Sequence, residues 1–275
     1  MSAPPCLFIP DAFEVWVIGD LHGDPDTALR ALVRAGLADS RGHWGGGSDK
    51  ALIFDGDLVD RGPNSEGAVA LVARLSSEAS AAGSLAAAVG GNHEELVASV
   101  ARGNFDDAMI WLYHGGEALC RELDIALPHG NFTPRTVARL AEDLMTAAPE
   151  LVAFCSDLPA WALWRDVAIV HAGLPMAGGL RALDNGYGRW DDSFRVLPNL
   201  RHPAMRPFTE IGIARVVVGH IPTPGRAQVL TNGAVLSLDA NLGPTIRGAT
   251  SAAALARLPQ IGNFSLDNVL IEPAE

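Results

Sequence analysis

Lys50 is the only lysine among 20 basic residues, which face 32 acidic ones in a chain of 275 with a formal net charge of −12. A protein that wraps nucleic acid needs clustered cations to displace counterions, and this balance excludes that class. Phosphate can still be held locally by bound metals and one or two arginines. Cysteine is scarce too. Cys6, Cys120 and Cys155 are odd in number and lack a CxxC spacing, which argues against a disulfide framework or zinc-thiolate site and for a reducing compartment. No run approaches the roughly 18–20 apolar residues of a membrane span. The start, with Pro4, Pro5 and an early Asp11, has no basic-then-apolar leader pattern, so a cytoplasmic location away from membranes is expected. No internal repeat is visible.

What is present is a globular composition, 48% hydrophobic and 19% charged. The first ninety residues alternate strand and helix: Val15–Ile18, a helix from Pro25 to Gly36, a Gly-rich loop over Ser40–Ser48, Ala51–Phe54, a helix from Asn64 to Ala82, and Leu85–Val89. That order predicts an α/β core with a largely parallel inner sheet. From Glu94 to Phe154 the pattern turns helical, broken at Gly103, Gly115-Gly116, Pro128 and Pro134, and reads as a helical insertion within one domain of residues 1–275. Strands return at Ala162–Trp164, Val167–Val170, Ala214–Val218, Ala227–Leu230 and Ala234–Leu238, the last two flanking an Asn232-Gly233 hairpin signal. The Ala-rich stretch Ser251–Leu258 is expected to be a short helix.

Polar clusters stand where these runs stop: Gly19-Asp20-Leu21-His22-Gly23, Gly56-Asp57-Leu58-Val59-Asp60-Arg61-Gly62, Gly91-Asn92-His93-Glu94, His171-Ala172-Gly173 and Gly219-His220. Asp, His and Asn at the ends of adjacent strands are the donors of a hard-to-borderline dication site. Asp20 and His22, two apart in extended backbone, point the same way. A dinuclear hydrolytic site needs a shared ligand with terminal ligands on both sides. Asp57 is the natural bridge, Asn92 a neutral oxygen donor, and His171 and His220 imidazole donors. Each cluster alone has an ordinary reading. Gly-Asp suits a strand-to-helix turn, Asp60 and Arg61 could pair in a loop, and a lone His171 or His220 is more often a satisfied core histidine. Their joint occurrence in order favours the metal site. His43, His114, His129 and His202 lack such partners and read as structural or exposed, Glu94 and Glu95 as stabilising a helix N-terminus, and Trp161 and Trp164 as packing.

The five blocks GDLHG, GDLVDRG, GNHE, HAG and GH, in this order from about Val15 to Asp239, resemble the calcineurin-like metallophosphoesterases, and within them the phosphoprotein phosphatase branch. The Trp44-Gly45-Gly46-Gly47 stretch and GDLHGD resemble its Shewanella-like bacterial subgroup. The resemblance implies two packed mixed β-sheets flanked by helices. It puts Asp20, His22 and Asp57 on one metal and Asp57, Asn92, His171 and His220 on the other, with Mn²⁺, Fe or Zn²⁺ all compatible with the donors. It makes His93 the general acid with Asp60 as its carboxylate partner, and a metal-bridging hydroxide the nucleophile. Arg61, with Asn92, holds the phosphate, and a second arginine is expected before the last histidine. Arg189 is the candidate, with Arg195 close behind.

The implied activity is a phosphomonoesterase acting on serine or threonine, and potentially tyrosine, in phosphorylated proteins, or on a small phosphoester. The alternative is a nucleotide hydrolase resembling the diadenosine tetraphosphatases, whose GDLVARG-type block lacks the acid at Asp60. A non-catalytic phosphate-binding module is disfavoured because every ligand, His93, Asp60 and Arg61 are present. The CxxxxxR motif of covalent phosphatases does not occur. The Ser237–Gly243 segment has no aromatic where eukaryotic members close the site, and substrate choice lives in such loops.

Overall fold

The computed structural model describes residues 5–127, 132–190, 205–241 and 251–274. His129, Arg195 and His202, with Pro128 and the Leu242–Gly243 end of the expected loop, lie outside them. The architecture is two mixed sheets with helices on their outer faces. The first carries β2 (Glu14–Ile18), β3 (Lys50–Phe54) and β4 (Leu85–Ala88) in parallel, with β10 (Ala252–Arg257) antiparallel to β2 and β11 (Val269–Pro273) antiparallel to β10. The second runs β1 (Cys6–Phe8), β5 (Trp161–Trp164), β6 (Val167–Ile169), β7 (Arg215–Val218), β9 (Val235–Ser237), β8 (Gln228–Leu230), with β6, β7 and β9 parallel.

The strands alternate between two buried surfaces. Val15, Val17, Ala51 and Ile53 meet Trp164, Ile169, Val217 and Leu236 between the sheets, while Ile18, Leu52 and Phe54 face the helices. Burial on both faces is why these strands read as continuous apolar runs. Helix α1 (Pro25–Arg34) starts on an Asp24 cap that accepts from the Thr27 N–H, and α2 (Ser65–Ala81) on Asn64, which accepts from Gly67. Helices α3 (Asn92–Ala101), α4 (Phe105–Trp111), α5 (Glu117–Glu122), α6 (Pro134–Ala147) and α7 (Pro149–Ser156) bury Val97, Trp111, Leu140 and Val152 in the same core as Phe54. A turn kinked at Gly115, Leu112–Gly116, joins α4 to α5. No helix among the described residues is long and apolar enough to cross a membrane.

One expectation is overturned. Ser251–Leu258 is not a helix; Ala252–Arg257 form β10, between β2 and β11. Alanine's helix propensity is a weak prior beside tertiary packing. Ala252, Ala254 and Ala256 pack between the sheets while Ala253 and Leu255 join the helix-side core, so both faces of the strand are covered. Trp161 and Trp164 are buried, as expected of packing residues, and the Asn232-Gly233 signal does sit in the turn joining antiparallel β8 and β9.

Candidate metal centre

The C-terminal ends of β2, β3 and β4 from one sheet and of β6 and β7 from the other converge on one spot, the place where open α/β sheets present ligand sites. The loop after β3 lies against the loop after β2. Leu21 and His22 N–H groups donate to the Asp57 carbonyl, and Gly23 N–H to that of Leu58. Gly62 is required by this contact, since a Cβ there would strike the His22 carbonyl oxygen. His22, Asp57, Asp60, Arg61 and His220 all take positive φ, from 44° to 70°. Such conformations cost on the order of 1–3 kcal/mol each and persist where surroundings over-determine them, commonly at functional sites.

Part of that over-determination is Glu94. Its buried carboxylate accepts from the N–H groups of Asp57, Leu58, Val59 and Gly91 at 2.7–3.3 Å. The residue does stand in the first turn of α3, as expected, but it also fastens the loop that carries Asp57. Glu94→Ala would strand these donors, and a loss of at least ~3 kcal/mol is expected. Denaturant unfolding checks this; a loss below ~1 kcal/mol would mean that other contacts hold the loop.

Asp57 Oδ2 lies at the middle of the donors, 3.7 Å from His22 Nε2, 3.2 Å from His171 Nε2 and 3.8 Å from His93 Nε2. His22 Nε2 is also 3.7 Å from Asp20 Oδ2. On the other side Asn92 Oδ1 is 3.1 Å from His171 Nε2 and 2.9 Å from His220 Nδ1. Two donor groups thus share Asp57: His22, Asp57 and His93, and Asp57, His171 and His220. Ligands each about 2.0–2.2 Å from one ion stand roughly 3–3.5 Å apart, close to these spacings. His22 Nδ1 faces the Val59 carbonyl at 3.2 Å and His171 Nδ1 that of Asp55 at 2.7 Å, an outer contact that turns Nε2 of each ring inward.

The electrostatics also fit a cation. Burial works against Asp57, yet His171 and His93 outweigh it and hold its carboxyl well below the usual range. Burial, then Asp239, pushes Asp20 well above it. Burial and next Arg61 hold His22 well below its ordinary value, so the ring is a neutral donor. His171 moves up despite burial because Asp57 attracts its charge, so a proton neutralises the pair. Asp55, fully buried with neither carboxylate oxygen hydrogen-bonded, is raised by burial, partly opposed by His171, and further raised by Asp57. Unpaired buried carboxylate oxygens at Asp55 and Asp239 beside imidazole and amide donors make a set that a cation would complete.

The structure brings Asp60, Arg61 and His93 to the same spot. His93 Nδ1 is 2.7 Å from Asp60 Oδ2, and the Arg61 guanidinium reaches Nε2 of His22 at 2.6 Å and of His93 at 3.1 Å. Trp111 was not anticipated: its indole N–H donates to the same Asp60 oxygen at 2.9 Å. Trp111→Phe keeps an aromatic ring, though a smaller one, and removes this donor to a carboxylate, worth ~1.5 kcal/mol, or about tenfold in kcat/KM. Steady-state rates check it, with Tm reporting the separate loss of packing; an unchanged rate would leave Trp111 a packing residue. His114 is exposed, as expected, and its backbone carbonyl accepts from Arg61 Nε at 3.3 Å; His43 is exposed, as expected, and is paired with Glu78. Arg189 lies against Gly90, with Nη2 donating to the Leu158 carbonyl, Nη1 3.9 Å from Glu95 Oε2, and a buried Nε without an acceptor. The Gly188 carbonyl accepts from Ala172 and Gly173, tying the Arg189 segment to the loop after β6.

Among sequence relatives, Shewanella-like protein phosphatase 2 of Arabidopsis thaliana is 27% identical over 202 residues, 65% of this chain and 51% of the relative. Serine/threonine-protein phosphatase 1 of Salmonella typhimurium is 30% identical over 107 residues, 39% of this chain and 41% of the relative. The chain therefore spans about half the length, or less, of these two. A crystal structure of a cold-active protein-tyrosine phosphatase from a psychrophilic Shewanella shares the fold at a TM-score of 0.65 and 16% identity, covering 94% of this chain and 78% of that one. The family pattern described as calcineurin-like phosphoesterase matches residues 13–236. That span takes in most of the chain and every donor from Asp20 to His220, and the protein belongs to the calcineurin-like phosphoesterase family, hydrolases of phosphoesters.

Proposed function

We propose that residues 1–275 work as one two-metal phosphomonoesterase domain that removes phosphate from phosphoserine and phosphothreonine, with phosphotyrosine a secondary substrate. The observation that carries this reading is the His93–Asp60 contact of 2.7 Å beside Arg61. A serine alkoxide is a poor leaving group and needs a proton as the P–O bond breaks, and a carboxylate-anchored imidazole is a group that can supply one. Asp60 fixes the ring through Nδ1, so Nε2 is the nitrogen that exchanges the proton with the leaving oxygen. Arg61 presents a planar fork for two phosphate oxygens, which lysine would not reproduce. Arg189 is the second phosphate contact in this scheme.

Asp20, His22 and Asp57 would hold one metal and Asp57, Asn92, His171 and His220 the other. When bound, the pair supplies Lewis acidity toward water and neutralises phosphoryl charge. Oxygen and imidazole donors accept Mn²⁺, Fe and Zn²⁺. The protein-phosphatase relatives support the substrate class. The test is phosphate release by the Mn²⁺-loaded protein from phosphoserine and phosphotyrosine peptides beside diadenosine tetraphosphate. Fastest release from phosphoserine peptides is expected; nucleotide cleavage with inert peptides overturns the reading.

A further inference from the structure

The kinked turn Leu112–Gly116 is built around Arg61. The Arg61 N–H donates to the Gly115 carbonyl at 3.1 Å and its Nε to that of His114 at 3.3 Å. Gly115 takes a φ of +114°, and a Cβ there would stand 2.6 Å from Arg61 Cγ. This kink keeps the helical segment in direct contact with the phosphate-binding arginine, beside a cleft of about 370 Å³ on its outer side. Arg61, Tyr113, His114, Glu117 and Arg121 line it.

The cleft holds two guanidinium groups and one carboxylate in a chain whose overall charge is −12, so it is a local reversal of the protein's sign. Its size lies at the small end of ligand pockets and admits a charged side chain or one substituent. Tyr113 is 87% exposed, and Met109 and Ile110 on the preceding helix are 46% and 40% exposed, so an apolar strip leads away from the cleft. A polypeptide running past the site would cover such a strip; a compact phosphometabolite would not.

We propose that the cleft between Arg61 and Arg121 is a subsite for an anionic side chain flanking the phosphoresidue of a peptide substrate, with Arg121 as the specificity-determining residue. The inference rests on the phosphatase reading above. Arg61 is occupied with the reacting phosphate, so Arg121 meets the flanking carboxylate or second phosphate through a two-pronged contact that Lys would weaken. Glu117, on the same wall, opposes an anionic substituent, but Arg61 and Arg121 together outweigh it, so basic flanks are the poorest. The apolar strip of Met109, Ile110 and Tyr113 carries the rest of the peptide without selecting its sequence.

The experiment is a set of phosphoserine peptides with glutamate, alanine or lysine moved through the three positions on each side, assayed with the Mn²⁺-loaded protein. At one or two positions glutamate should raise kcat/KM about tenfold over alanine. Arg121→Ala should bring that ratio close to one, Arg121→Glu should invert it in favour of lysine, and raising ionic strength should shrink it. A ratio near one in the native protein, or one that Arg121→Ala leaves untouched, overturns the subsite. Arg121 is exposed on α5, so Tm of each variant separates misfolding from lost recognition. If no peptide is hydrolysed, the proposed activity fails, and binding decides the subsite independently. Fluorescence anisotropy with labelled acidic and neutral phosphopeptides on the Mn²⁺-loaded protein should then show about tenfold tighter binding of the acidic one, lost in Arg121→Ala. Equal affinities would overturn it.

Discussion

Turnover of a phosphoserine peptide should fall by ~10²–10⁴-fold in His93→Asn, the usual worth of general acid catalysis, with metal content unchanged. The ring is fully buried, fixed by Asp60 at Nδ1, and 3.8 Å from Asp57 Oδ2 at Nε2, so the amide fits the space without gaining a charge. The dependence on leaving group separates acid catalysis from a packing defect. p-Nitrophenyl phosphate leaves as a stabilised phenolate and should lose far less than the alkyl ester. Equal losses on both substrates, or metal lost along with activity, would remove His93 from the acid role and make it a structural or ligating residue.

Asp57→Asn is expected to empty the centre itself. Asp57 is the one acidic group common to both donor groups, and its carboxyl is held well below the ordinary range by His171 and His93, once burial is overcome. Asparagine keeps the shape and one acceptor oxygen but removes the negative charge that a dication and the buried imidazoles share. Bound metal measured by atomic emission should fall from about two per chain to below one, and phosphate release by at least ~10³-fold, since neither the lowered water pKa nor the phosphoryl clamp survives a lost metal pair. Two metals per chain in Asp57→Asn would mean that Asp57 does not bridge.

Much of this centre was legible because its chemistry sits at strand ends. Val15–Ile18, Ala51–Phe54 and Val167–Val170 are apolar runs buried on both faces, and the residue types that follow them, Asp20, His22, Asp57 and His171, have few other uses at such places. The starts of α1 and α2 were legible from helical periodicity, whereas the capping of these helices by Asp24 and Asn64 shows only in the structure. Strand β10 was not, because alanine carries no periodic signal and its position between sheet and helices is a property of the whole fold. Strands β1 and β11 are a three-residue edge and a half-exposed edge with no buried alternation to detect. Glu94 was half read: a helix-start glutamate and a loop-fastening glutamate look identical until the strand-end loop arrives beside it. Trp111 and His114 act through partners more than fifty residues away in sequence, one by its indole and the other by its carbonyl, and neither contact leaves a mark in residue type.

The sharing of donors between two sheets has a consequence for how the molecule holds together. Asp20, His22, Asp57 and Asn92 ride on the first sheet, His171 and His220 on the second, and the 3.2 Å approach of His171 to Asp57 crosses the seam. Metals held there act as a rivet through the sandwich. Their binding free energy adds to the cohesion of the two halves, by ~2.7 kcal/mol when free metal exceeds its dissociation constant a hundredfold. Opening of the seam and release of metal are then one event seen from two sides, and slow exchange of the core amides between the sheets becomes a direct gauge of how full the centre is.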